Sequence, residues 1–289
     1  MIAQALRSSV ENALGQRIVA VSRVSGGDIN EAFELSLADG QSVFLKTNAR
    51  APLEMFAREA RGLEFLRTAR ALRIPRVLAV SNETEQPSFL LLEFLRSAAP
   101  RAGFDEQLGR GLAALHRFGA PSYGGPESNF IGRLPQPNHA HASWPDFYRV
   151  ERLEAQLRAA LEARRAPPAL SRDFDRLFAR LPELAGDAEP PARLHGDLWS
   201  GNLHLDEQGA PCLIDPAVYG GHREVDLAMM QLFGGFNARA FSAYAEAFPL
   251  SPGHGERVAL YQIYPLLVHV NLFGGSYLSA VQRALAQYL

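Results

Sequence analysis

Residues 193–230, RLHGDLWSGNLHLDEQGAPCLIDPAVYGGHREVDLAMM, decide how the rest of the chain is read. Asp197 stands in a His195-Gly196-Asp197 turn, Asn202 follows five residues later, and Asp215 thirteen residues beyond that. Leu203, Leu205, Leu213 and Ile214 flank the polar run Asp206-Glu207-Gln208-Gly209. That pattern predicts a β-hairpin with Asn202 and Asp215 on its two arms, held at a fixed separation. Asp and Asn also occupy turns for purely local reasons, so neither acid alone carries chemistry. The constellation of three does.

The spacing is that of a kinase catalytic loop followed by its metal-binding aspartate, H-R-D-L-x-x-x-N and then D-F-G. Here the slots hold His195, Gly196, Asp197, Leu198, Asn202 and Ile214-Asp215-Pro216. Phosphoryl transfer asks for an oriented hydroxyl and neutralised phosphate charge. Asp197 is the candidate base for that hydroxyl. Magnesium takes hard oxygen ligands and keeps several waters, so one amide oxygen and one carboxylate suffice beside phosphates. Asn202 and Asp215 are the candidate ligands, with ATP as the implied phosphate source. His195 is expected to brace the loop, and His204 reads as a surface strand residue without a role.

The chain has 289 residues, 47% apolar and 21% charged, which fits a soluble globular protein of one large domain or two lobes. A net charge of −2 gives no global reason to expect nucleic acid or an anionic membrane as partner. The single cysteine, Cys212, cannot form an internal disulfide, which fits a reducing cytoplasm. It reads as a small buried apolar residue. The first residues form an amphipathic helix rather than a signal peptide, and no apolar run reaches the length of a membrane span.

Residues 2–14 predict a helix ended by Gly15, and residues 17–24 alternate as a half-buried strand does. Ser25-Gly26-Gly27-Asp28-Ile29-Asn30 then leads into a second strand over 31–38, the hairpin signal Asp39-Gly40, and a third strand over 41–47. Backbone N–H groups at Gly26 and Gly27 could cover a phosphate chain, although the third glycine of a G-x-G-x-x-G loop is missing. Lys46 lies among the apolar residues of the third strand. The next helix carries Phe56, Leu63 and Leu66 on its apolar face, and Glu59 falls on the same face. An inward carboxylate is costly unless paired, and Lys46 is its natural partner. A strand lysine gripping phosphates and held by a helix glutamate is a kinase arrangement. Residues 76–80 and 88–94 complete five strands. The main chain at the exit, Glu93 and Leu95, is the expected adenine contact.

Beyond this point the pattern is mostly helical. A helix is predicted over 104–118, with His116 either a functional histidine or one that packs in the core or between lobes. Residues 119–142 read as a long loop, 144–165 as helix, 171–180 as a shorter helix, and 224–233, 239–248 and 254–289 as helices, the last interrupted at Gly274-Gly275. The apolar segment 261–272 fits either core or an interface, and oligomeric state is not read. The expected fold is α+β and bilobal, protein-kinase-like. A five-stranded N-lobe with one main helix binds nucleotide over 1–94, and a mostly helical C-lobe over 95–289 carries catalysis and substrate binding.

His195-Gly196-Asp197-Leu198-Trp199-Ser200-Gly201-Asn202, Asp215-Pro216-Ala217 and Tyr219-Gly220-Gly221-His222-Arg223-Glu224 together resemble the fructosamine kinase (ketosamine-3-kinase) family. Asn129-Phe130-Ile131-Gly132, Pro135-Gln136-Pro137-Asn138 and Leu232-Phe233-Gly234-Gly235-Phe236 extend the resemblance. It implies the aminoglycoside-phosphotransferase-like variant of the protein-kinase fold. It also implies ATP-dependent phosphorylation of the 3-hydroxyl of fructosamine or ribulosamine adducts, small or protein-bound. The 3-phosphate is then lost and the amine is freed. Carried over by position, Asp197 is the base, Asn202 and Asp215 hold magnesium, Lys46 holds phosphates and Glu59 orients Lys46. The Trp199 ring either faces the sugar or its amine carrier, or packs inside. Glu224 and Asp226 open a helix and either cap it or brace the loop. Two other readings share the core motif. One is a kinase for another hydroxylated amine, such as an aminoglycoside or choline. The other is a nucleotide-binding pseudokinase, which the intact Lys46, Asp197, Asn202 and Asp215 oppose.

Overall fold

The computed structural model describes residues 2–24, 30–81, 87–125 and 127–289. The chain divides into two compact units, Met1–Phe104 with Gly201–Pro216, and Asp105–Ser200 with Ala217–Leu289.

The first unit is built on strands β1 (Ile18–Val24), β2 (Glu31–Leu37), β3 (Ser42–Thr47), β4 (Val77–Val80) and β5 (Phe89–Glu93). They form one antiparallel sheet in the order β1-β2-β3-β5-β4. Helix α1 (Gln4–Leu14) buries Leu6 and Val10 against Ile18, Phe33, Leu35, Leu37, Val43, Leu45, Phe89 and Leu91. It stops at Gly15, whose φ of 65° is readily adopted only without a Cβ. Helix α2 (Met55–Arg67) buries Phe56, Leu63 and Leu66, and adds Ala57, Ala60 and Gly62. This places Glu59 against the sheet, as the helical period requires.

The hairpin of β9 (Leu203–Leu205) and β10 (Pro211–Leu213) forms with Leu203 opposite Leu213. It groups with the first unit, whereas the sequence pattern had placed it in the second lobe, and the first unit continues to Phe104. The reason is main-chain bonding. Leu213 N donates to Arg73 O at 3.0 Å, Ala98 N to Asp206 O at 3.2 Å, and Arg101 N to Gly209 O at 3.1 Å. Asp206 holds the turn, its Oδ1 accepting the N–H groups of Gln208 and Ala210 at 2.9 and 2.8 Å. Cys212 is fully buried in β10, and burial pushes its thiol up to about 12.

The second unit contains α3 (Phe104–Phe118, from Asp105 on), α6 (Leu170–Leu184), α7 (Glu224–Leu232), α8 (Ala238–Ala247), α9 (His254–Phe273) and α10 (Tyr277–Leu285). Three expectations are corrected here. The loop expected over 119–142 holds a hairpin of β6 (Asn129–Ile131) and β7 (Leu134–Gln136), tied by Gln136 Nε2 donating to Asn129 Oδ1 at 2.7 Å. The helix expected over 144–165 is composite: α4 (Trp144–Phe147), a π-helical stretch Tyr148–Glu154, and α5 (Ala155–Glu162). Its wider turn lets Glu151, Arg152 and Leu153 all be buried in succession. Strands β8 (Ala192–Leu194) and β11 (Tyr219–Gly221) pair antiparallel, and neither was legible as a strand. Within 261–272, Tyr261, Ile263, Tyr264, Leu267 and Val270 are buried in the core, which decides that segment's role. Among the described residues no helix is long and apolar enough to cross a membrane.

Candidate active site

In the first unit, Lys46 on β3 points its ammonium at two carboxylates. Lys46 Nζ lies 2.8 and 3.0 Å from the two oxygens of Glu59, and 3.0 Å from Asp215 Oδ1. The lysine side chain is 8% exposed and Glu59 11%, but Asp215 is 38% exposed. Burial disfavours the ammonium, but the charges of Asp215 and Glu59 outweigh it and hold Lys46 well above the usual lysine range. Burial pushes the Glu59 carboxyl up to about 7, against the opposite pull of Lys46. Lys46 is therefore an ammonium at neutral pH.

The hairpin brings Asn202 to the same place. Ile214 N donates to Asn202 O at 3.1 Å, which continues the β9–β10 ladder by one step. Asn202 Nδ2 donates to Asp215 O at 3.4 Å. Asp215 itself sits at φ 54°, a left-handed conformation uncommon outside glycine and reached more readily by Asp and Asn than by other side chains. The bend turns its carboxylate back toward Lys46. One amide and one partly exposed carboxylate fit a magnesium ion that takes its other ligands from phosphates and water. They do not fit an all-protein cage: among the described residues no group of three or more His, Cys, Asp or Glu could hold a metal.

The second unit carries Asp197, on a turn held from behind. Asp226, on the first turn of α7, is completely buried. Its Oδ2 accepts His195 N at 2.8 Å and its Oδ1 accepts Gly196 N at 2.9 Å. His116 Nε2 reaches Asp226 Oδ2 at 3.1 Å, and His116 Nδ1 meets the Tyr244 hydroxyl at 2.8 Å. Burial pulls the Asp226 carboxyl upward, but the bonds and charge of His116 and the neighbouring donors outweigh it and keep it below the ordinary carboxylate range. Asp197 N donates to His195 Nδ1 at 3.3 Å, and Ala217 N to His195 O at 2.9 Å. Gly196 adopts φ 82°, and a Cβ there would sit 2.0 Å from Ala217 O, so no side chain is tolerated before Asp197.

Thus Lys46, Glu59, Asn202 and Asp215 converge, and His195 braces the loop as expected. Asp226 braces it as well, which resolves the two readings left open. His116 is a core histidine that completes this brace. His204 is not idle: its Nε2 bonds Leu95 O at 3.2 Å. Glu93 N donates to Arg76 O at 3.0 Å, and the Glu93 carboxylate accepts Arg76 N at 2.7 Å and pairs with Arg73 at 2.9 Å. The Leu95 carbonyl keeps a second lone pair, but the Glu93 N–H is committed to the sheet. Gly26 and Gly27 lie outside the described residues. Trp199 is 40% exposed, so its ring is not packed inside.

A buried strand lysine bonded to a helix glutamate and to the aspartate of a hairpin, with an asparagine beside that aspartate, has the geometry found where protein-kinase-like phosphotransferases handle phosphate. Solved structures agree at the level of the fold. An aminoglycoside phosphotransferase, APH(4)-Ia, superposes with a TM-score of 0.61 at 17% identity over 97% of this chain and 96% of that one.

The chain belongs to the fructosamine kinase family, whose profile matches residues 2–289. It is 39% identical to a chain of Synechocystis sp. named "Probable ketoamine kinase", over 99% of this chain and 96% of that one. It is 37% identical to a chloroplastic protein-ribulosamine 3-kinase of Oryza sativa subsp. japonica, over 94% and 80%. A crystal structure of a "putative fructosamine-3-kinase" from Thermobifida fusca matches with a TM-score of 0.89 at 35% identity, over 99% of both chains.

Proposed function

We propose that this protein transfers phosphate from ATP to the 3-hydroxyl of ketosamines, the fructosamine or ribulosamine adducts of amines. Loss of the 3-phosphate then frees the amine, so the net result is deglycation. The observation that carries this reading is the Lys46 ammonium shared by Glu59 and Asp215, in a chain whose full length matches ketosamine kinases. Lys46 grips nucleotide phosphates and Glu59 fixes its position. Asn202 and Asp215 hold a divalent cation, which when bound supplies charge neutralisation at the phosphates. Asp197 accepts the proton of the attacking hydroxyl, and the Asp226 brace keeps its turn in place. Trp199 offers an exposed aromatic face to the sugar or its amine carrier. The lone buried cysteine suits a reducing compartment, and we assign the cytoplasm.

The test is ADP formation with MgATP and a panel of fructosyl-lysine, ribulosyl-lysine, an aminoglycoside and choline. Turnover is expected on the ketosamines and is lost in Asp197→Asn. Turnover confined to the aminoglycoside or choline contradicts the reading, as does ATP binding with no turnover on any acceptor.

A further inference from the structure

The second unit carries an aromatic surface that the chemistry above does not use. Phe233, His269, Phe273 and Tyr277 form a continuous set of rings. Centroids are 4.8 Å apart for Phe233–His269, 4.9 Å for His269–Tyr277, 5.6 Å for His269–Phe273 and 6.3 Å for Phe273–Tyr277. Phe233 is 40% exposed and Phe273 51%, so large ring faces stand in water. Contiguous exposed apolar surface marks a place that a partner covers.

The surface is continuous with the Asp197 turn. Gly235, two residues after Phe233, approaches Ser200 so closely that a Cβ would lie 2.6 Å from the serine Cβ. Ser200 follows the exposed Trp199. The residues that build the patch, 231–237 and 273–277, include no Asp, Glu, Lys or Arg. His269 adds no charge: its Nδ1 bonds Pro265 O at 2.7 Å, and burial lowers its pKa. A neutral aromatic surface beside a base suits an alkyl chain and the peptide that carries it, since ring bodies pack methylenes.

We propose that Phe233, His269, Phe273 and Tyr277 hold the carrier of the adduct, the alkylamine chain of a lysine and the peptide flanking it. Polypeptide-borne ketosamines are then the preferred acceptor class. This rests on the ketosamine reading above.

The experiment compares two acceptors, an oligopeptide with one ribulosyl-lysine and ribulosyl-methylamine, which has the same sugar and almost no carrier. In Phe273→Ala/Tyr277→Ala, KM for the peptide rises about tenfold. KM for ribulosyl-methylamine, which has the same amine but no chain to lie on the rings, and for ATP stays within about twofold. Phe273→Leu, which keeps bulk and fold, gives a smaller rise on the peptide alone. Equal rises on both acceptors, or none on the peptide, overturn the proposal. If wild type turns over neither acceptor, the ketosamine reading itself fails, a result separate from a wrong ratio between the two.

An independent observation carries a second inference. Lys46 is the single lysine of the 289-residue sequence. A reducing sugar modifies lysine when the neutral amine adds to its carbonyl carbon and water leaves, giving an imine that rearranges to the ketosamine. Lys46 is 8% exposed and its ammonium is bound to both Glu59 and Asp215. We infer that the folded chain offers no lysine to reducing sugars. Incubation with ribose followed by peptide mass analysis tests this. The Lys46 peptide stays unmodified in the folded chain and takes up the adduct in urea. A ribose adduct on Lys46 in the folded chain overturns it. No kinase activity is needed, so the result is independent of the acceptor.

Discussion

Asp226 in the second unit and Asp215 in the first are two acids of one short stretch, yet the structure treats them in opposite ways. Asp226 is fully buried, and its oxygens are occupied by two main-chain N–H groups and a histidine. Asp215 is 38% exposed, holds a left-handed φ of 54°, and shares one ammonium with Glu59. The first acid's hydrogen-bonding capacity is used by the fold itself. The second keeps part of its carboxylate open to solvent. Spacing alone does not separate a bracing acid from a working one; the identity of the donors and the exposure do.

The largest expected effect is at the residue the Asp226 brace supports. Asp197→Asn lowers kcat by about a thousandfold while ATP affinity, measured by titration, changes by less than about twofold. Retained turnover places the base elsewhere. Lys46→Met lowers kcat/KM for ATP by about a hundredfold to a thousandfold, because a phosphate-directed charge is lost. Asp226→Ala acts on stability instead. It strands two buried N–H groups and a histidine, and costs about 3–5 kcal/mol by denaturant unfolding. The contrast breaks if Asp226→Ala unfolds no more easily than wild type.

A smaller effect follows from titration. The folded Asp226 carboxyl lies below its ordinary value of 3.8, so the unfolded chain binds the proton more tightly. Its contribution is full above that value and is lost as pH falls through the folded pKa. Thermal midpoints measured from pH 5 downward therefore drop more steeply for wild type than for Asp226→Asn. Parallel curves contradict this. The smallest expected effect is at Cys212, whose thiol is buried and pushed up to about 12. A thiol reagent at pH 8 labels it only after unfolding.

Most of the fold was legible because its signals are local. The Asp39-Gly40 turn, the Phe56, Leu63 and Leu66 stripe and the Leu203 to Leu213 hairpin each write their period into a short window. The Lys46–Glu59 pair was legible for a further reason, since a carboxylate on a buried helical stripe demands a cation. What escaped depends on distant partners. Strands β8 and β11 are three residues each and depend on partners distant in sequence: each other, and for Gly220 of β11 also Gly124. The β6–β7 hairpin is hidden in a run of Gly, Pro and Asn. The hairpin's attachment to residues 73 and 98–101 has no local signature at all. At the site, the left-handed backbone of Asp215 and the convergence of His116 on Asp226 are likewise products of tertiary contact.

The position of the transferred phosphate is the most direct test of ketosamine phosphorylation. Phosphorus and carbon NMR of the products from MgATP and ribulosyl-lysine should show phosphate on oxygen 3 of the ketose, followed by appearance of free lysine. Phosphate on any other oxygen, or ATP consumption that leaves the ketosamine unphosphorylated, would contradict it.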